Sequence, residues 1–301
     1  MFRQICVFVR QNITVQKRNI MKNILSSLFV FSVVVYTTKD SFLKTYDASK
    51  TLLFSYTMAC VWIGLFNTVL LYMRSKQYLI PDLKSRLLSV RAYIIGTIVI
   101  QAFQCMIQAL IGASILTGFD YDRASLVLKK GNLNVDIFIT IYLLILAGDM
   151  LGFLLSIVLK NMESALACVP IFLISQMLFS EGILSLGNDY LKTFSKGFIE
   201  ARYGMAAFGS IFKINNLPLA LNELYPEIVQ TSNDLFEISS QYILSCWRHI
   251  GIMIIVPILL SGIILTIKVH GTTVLVDTCS SFDNRRRRVL FRESFGFVAE
   301  C

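Results

Sequence analysis

The chain has 301 residues, 55% of them hydrophobic and only 16% charged, with a formal net charge of +9. An average soluble domain carries about a quarter charged residues, so this composition disfavours a soluble enzyme. Two histidines and seven singly scattered cysteines, with no CxxC pair, offer no disulfide framework, metal-ligand spacing or histidine-activated nucleophile.

The amino-terminal stretch Phe2 to Asn19 mixes Ile5, Val9, Ile13 and Val15 with Arg10, Lys17 and Arg18. That pattern suits an amphipathic helix over residues 1–20 lying at the inner membrane interface, and equally a plain basic leader. No small-residue cleavage site precedes the first apolar stretch, so a removable signal peptide is not expected.

Six apolar stretches of membrane-spanning length follow: Met21 to Thr38, Thr51 to Met73, Tyr93 to Leu116, Ile137 to Leu159, Ala165 to Leu186 and Cys246 to Ile267. In lipid every backbone amide needs a partner within its own segment, so these stretches must be helices. The expected fold is an all-α membrane protein whose six transmembrane helices occupy residues 21–270.

Basic residues cluster before the first span (Arg3, Arg10, Lys17, Arg18, Lys22), after the second (Arg74, Lys76, Lys84, Arg86, Arg91) and after the last, where six more occur. The positive-inside rule makes all three regions cytoplasmic, and the even span counts between them agree. The protein is therefore expected in the plasma membrane as a multi-pass chain with both termini inside. On the outside, 187–245 is too long for a simple connector and is expected to form a small cap of short helices. The tail, 271–301, carries the run Arg285 to Arg288, which reads as an anionic-lipid or orientation signal before a nucleic-acid site.

Polar residues inside the spans are the candidates for function. Gln101, Gln104 and Gln108 fall on one face of the third span, where they either line a path or bond neighbouring helices. Asp149 sits near the middle of the fourth span, where a charge costs about 2.5–3.5 kcal/mol, so it must face protein or water. Meeting a glutamine of the third span or Asn67 of the second is the natural way to satisfy it. Gly148, Gly152 and Ser156 recur every four residues, a spacing that lets two helices approach closely.

In the fifth span Pro170 removes a backbone donor, and Glu181 with Gly182 interrupts the apolar run, so the helix is expected to break there, with Glu181 at an outer gate or rim. The segment 74–92 carries Leu79, Ile80, Leu83, Leu87 and Leu88 among its charges and suits a short cytosolic amphipathic helix docking on a soluble partner. No GxxxxGK[ST] phosphate loop occurs, so nucleotide hydrolysis by that route needs another chain.

The order of WIGLFNT (Trp62 to Thr68), AYIIGTIVIQAFQCMIQ (Ala92 to Gln108), ITIYLLILAGDMLGFLLS (Ile139 to Ser156) and VPIFLISQMLFSEGILSL (Val169 to Leu186) resembles the type-2 ABC transporter permeases, the ABCG-like membrane domains in their bacterial half-transporter form. The likeness continues through ARYGMAAFGSI (Ala201 to Ile211). It implies a permease that pairs with a second permease chain and works with a separate ABC ATPase. ATP and Mg would be held by that ATPase, with no cofactor in this chain.

By the same resemblance, Arg74, Lys76, Asp82, Leu83, Lys84, Arg86 and Leu87 form the coupling contact with the ATPase, and the turn from Lys160 through Glu163 a second one. Asn67, Gln101, Gln104, Gln108 and Asp149 then line or gate the substrate path, with Glu181 at the outer gate and no catalytic residue. The chain departs from the family's coupling-loop acids, reading Met73, Arg74, Ser75 and later Asp82, and Glu181 intrudes among the small residues of its motif. Those departures motivate the alternative of a non-transporting scaffold, sensor or immunity component on the same fold.

Overall fold

The computed structural model describes residues 2–38, 42, 46–84, 89–118, 133–159, 161–182, 187–216 and 234–296; for 2–8, 10–18, 70–72, 74–78, 80–82, 84, 133, 234 and 270–296 it describes the backbone alone. All regular structure among these residues is helical. The elements are α1 (Phe2–Thr38), α2 (Tyr46–Lys84), α3 (Val90–Thr117), α4 (Leu133–Val158), α5 (Met162–Phe179), α6 (Asp189–Phe198), α7 (Glu200–Ile211), a 3-10 turn (Asp234–Phe236) and α8 (Ser240–Gly296).

Six of these helices carry segments long and apolar enough to cross a membrane: Asn19–Thr38, Tyr46–Val69, Val90–Thr117, Asn134–Val158, Met162–Phe179 and Ser240–Val269. The six spans expected from hydropathy are therefore all present. Two sit at the centre, since 78% of the α2 span and 72% of the α4 span are buried, against 17% of the α1 span and 22% of the α5 span. α4 packs against α2, α3, α7 and α8, and α1 lies across α2 and α3.

Glycines explain the tightest contact. A Cβ on Gly64 of α2 would lie 2.2 Å from the Ile145 carbonyl oxygen, and one on Gly148 of α4 would lie 2.7 Å from that of Val61. Gly152 faces the Leu65 carbonyl and the Thr68 hydroxyl in the same way. The small-residue spacing read on α4 is thus a packing seam, and Gly64 is its counterpart on α2.

Four boundaries differ from the sequence expectation. The amino-terminal segment is not set off from the first span, because α1 runs unbroken from Phe2 to Thr38. The segment after the second span is no separate short helix either: α2 continues through Arg74, Lys76 and Asp82 to Lys84, and Arg86 and Leu87 lie outside the described residues. α5 ends at Phe179 rather than Leu186, since Glu181 adopts φ 61°, which no helix continues. At the other end of the cap region, 240–245 already belong to α8, and 217–233 lie outside the described residues.

What remains of that region is a helical hairpin, α6 then α7, which turns back against the bundle. Its tip, Ile199 with Ala201, packs into an apolar cluster with Val61 and Leu65 of α2 and Val169 and Leu173 of α5. α7 is buried from Gly204 to Ile211 against α2, α4 and α8. Tyr56 anchors the bundle beside it, stacking on Phe31 at 5.0 Å, meeting Phe208 edge-on at 6.0 Å and donating to the Gly112 carbonyl at 2.7 Å.

Candidate functional site

The α2–α4 seam brings the helix backbones together, and polar side chains gather in the layer just beside it. Asn67 donates to Gln108 Oε1 at 2.8 Å, and Gln108 Nε2 donates back to Asn67 Oδ1 at 3.2 Å and to the Asn23 carbonyl at 3.3 Å. One amide pair thus joins α1, α2 and α3. Next to it Thr68 donates to the Asp149 carbonyl at 2.7 Å, tying α2 to α4. The Cys105 thiol lies 3.7 Å from Asp149 Oδ2 and ties α3 to the same residue.

All five residues expected to line a path are therefore in the protein interior, between 0% and 4% exposed. The structure joins Asn67 to Gln108 but gives Asp149 a thiol partner instead of an amide. Gln101 and Gln104 share the buried face of α3, yet Gln101 Oε1, Gln104 Nε2 and Asp149 Oδ1 have no hydrogen-bond partner among the described residues. Thr97 Oγ1, one turn before Gln101 on that stripe, and Ser261 Oγ of α8 are in the same condition. The opposite face of α3, with Ile95, Val99, Phe103 and Leu110, is exposed and apolar.

Sequence reading missed Thr68, Cys105 and Thr97. Cys105 read as a packing residue, and only its place one turn before Gln108, on the helix face that meets α4, marks it out. Thr97 extends the glutamine stripe at helical spacing and was legible in principle.

The amide pair yields a testable energy. Gln108→Leu strands the Asn67 amide in apolar surroundings, and interhelical polar contacts contribute about 0.6–2 kcal/mol each. Thermal unfolding in detergent should show Gln108→Leu and Asn67→Leu each destabilising the protein. The double variant should cost less than the sum of the two, and strict additivity would mean that the pair is not coupled.

At the far end of the bundle, where α5 stops, Glu181 pairs with Arg202 of α7 at 2.5 Å, with side chains 17% and 12% exposed. Arg202 also donates to the Ser195 hydroxyl at 3.2 Å, and that hydroxyl donates to the Phe179 carbonyl at 2.5 Å. Gln176 bridges the same corner, accepting from the Ala201 amide at 3.2 Å and donating to the Phe198 carbonyl at 3.4 Å. Glu181 is thus neither solvated nor unpaired: it clamps the end of α5 to the α6–α7 hairpin.

Glu200, in the first turn of α7, was not singled out by sequence. It is 3% exposed, its Oε1 has no partner among the described residues, and burial pushes its carboxyl up to about 8. A carboxyl that is harder to ionise in the folded state holds its proton between the unfolded value, 4.5, and about 8. Folded stability must then fall as pH rises through that window and level off above it. Melting temperatures from pH 5 to 9 should show the gap between Glu200→Gln and the native protein widening in favour of the variant up to about pH 8; a constant gap would refute this.

At the basic end, Leu83 is 2% exposed and packs with Tyr93, Phe153, Ile157, Leu265 and Val269, with Leu79 at the edge of the cluster. This corrects its placement on a face turned toward a soluble partner: the foot of α2 lies against α3, α4 and α8, and Leu83 fills that contact. Lys268 of α8 donates to the Ile157 and Val158 carbonyls that end α4. Glu163 is exposed in the first turn of α5, and Lys160 lies outside the described residues.

Membrane-length helices, a buried polar layer with no nucleophile, base or metal grouping among the described residues, and a clamped hairpin at one end define a membrane permease rather than an enzyme. The family described as ABC-2 type transporter matches residues 2–188, most of the chain, and the chain belongs to that family. Members of the family are permease components of ABC transporters, multi-pass membrane subunits that normally work with an ABC ATPase. None of the curated proteins matches the chain.

Proposed function

We propose that this chain is the membrane-spanning subunit of an ATP-driven exporter, paired with a second permease chain and powered by a separate ABC ATPase at its basic, cytoplasmic end. The observation that carries this reading is the continuity of α2. A single helix, Tyr46–Lys84, holds the clustered charges Arg74, Lys76, Asp82 and Lys84 near one end and Asn67 and Thr68 of the polar layer near its middle. A push on its foot by a closing ATPase is transmitted along a rigid rod to the Asn67–Gln108 pair and to the Thr68–Asp149 bond.

In this reading the present conformation is closed. Parting α3 from α2 and α4 would expose Gln101, Gln104, Gln108, Asn67 and Asp149 to a central path, and the unpartnered atoms Gln101 Oε1, Gln104 Nε2 and Asp149 Oδ1 would then meet water or substrate. Amides set among aliphatic residues suit an amphipathic substrate. Release at the far end requires the Glu181–Arg202 clamp to open. Glu181, one motive for a non-transporting scaffold, has its charge answered by Arg202, so the transport reading is preferred.

The test is copurification of an ABC ATPase coexpressed with the tagged chain. Reversing exposed or loop charges, with Glu163→Lys and Lys84→Glu together, should release the ATPase while the chain stays folded. Retention of the ATPase at native levels would remove the basic end as its docking site.

A further inference from the structure

We propose that α6 is a lipid-docking helix that lies in the bilayer interface at the far end of the bundle, with its apolar face among acyl chains and Lys192 and Lys196 on the phosphates of anionic headgroups. At about 100° per residue, Tyr190, Phe194, Phe198 and Leu191 fall within about 100° of arc, and Lys192, Lys196 and Asp189 fall on the other side. The apolar set is exposed although it is aromatic: Tyr190 is 86% and Phe198 70% accessible. The polar side carries two lysines against one aspartate.

Continuity with the spanning surface identifies the occupant. α5 crosses the membrane with Ile171, Ile174, Met177 and Leu178 exposed. That stripe passes into α6 through ring contacts, Phe179 edge-on to Phe194 at 5.4 Å and Phe194 stacked on Phe198 at 5.2 Å. A helix so placed extends a lipid-facing surface sideways at headgroup depth, where aromatic rings and lysine ammoniums are favoured. The inward side of α6 meanwhile holds Ser195 against the Phe179 carbonyl and Arg202. One ten-residue helix thus connects the lipid to the clamp at Glu181, whichever side of the membrane this end faces.

The test uses the full chain in nanodiscs of phosphatidylcholine brominated at defined acyl depths. Phe198→Trp is read against the native protein, whose Trp62 and Trp247 supply the background emission. The added emission should be blue-shifted, and shallow bromines should quench it more than deep ones. In nanodiscs containing phosphatidylglycerol the melting temperature should rise, and Lys192→Gln with Lys196→Gln should abolish that rise. Emission that no brominated lipid quenches overturns the proposal, as does protection from bromine accompanied by crosslinking of two copies through Phe198→Cys. Quenching without any phosphatidylglycerol effect overturns the headgroup contact. If Phe198→Trp fails to fold, Tyr190→Trp reports on the same face.

Discussion

Gly64→Ala should lower the melting temperature by about 10 °C, an unusual result for one added methyl. The new Cβ would sit 2.2 Å from the Ile145 carbonyl oxygen and 2.8 Å from the Asp149 amide nitrogen, both backbone atoms of α4 that cannot swing aside. The two central helices must separate. Overpacking of this kind costs about 3 kcal/mol or more, which converts to roughly 6–12 °C at the usual entropy of unfolding. Gly148→Leu is expected to be worse still and to prevent recovery of folded protein, because its Cβ already meets the Val61 carbonyl at 2.7 Å before the larger side chain is placed. Gly251→Ala is the control. It lies in α8 with nothing within 4 Å of a built Cβ, so the methyl should leave stability unchanged or raise it by up to about 1 kcal/mol through helix propensity. Equal effects at Gly64 and Gly251 would mean that α2 and α4 are not packed through this seam.

The second large effect is expected at Leu83. Its apolar neighbours, Tyr93, Phe153, Ile157, Leu265 and Val269, come from α3, α4 and α8. Leu83→Ala should cost about 2–5 kcal/mol as a cavity, and Leu83→Asp more, since a carboxylate placed among these residues has no partner there. Both losses should appear in the isolated chain, by thermal unfolding without any ATPase. Had Leu83 instead faced a soluble partner, as its spacing with Leu79 and Leu87 suggested, the isolated chain would melt normally and only complex formation would suffer.

That contrast marks where sequence patterns succeed and where they stop. The six spans are legible because lipid demands long apolar helices and little else. The break after α5 is legible because Glu181 and Gly182 stand at the end of an apolar run. What spacing cannot say is which neighbour an apolar face meets: Leu83 lies on a proper amphipathic face, but α8 comes from far along the chain to cover it. The same limit hides the partner of Glu181, since Arg202 reaches it only through the hairpin turn at Ile199. Asp149 was recognisable as a buried acid from its position alone, whereas its partners Thr68 and Cys105 depend on the register that the glycine seam sets between α2 and α4.

The central claim is that this chain transports only through a partner, and ATP hydrolysis in nanodiscs tests it most directly. The purified chain alone should hydrolyse no Mg-ATP. Joined to its ABC ATPase it should change that enzyme's rate severalfold, and Arg74→Glu with Lys76→Glu should return the rate to that of the ATPase alone. Hydrolysis by the chain alone, or an ATPase rate identical with and without it, would contradict the account.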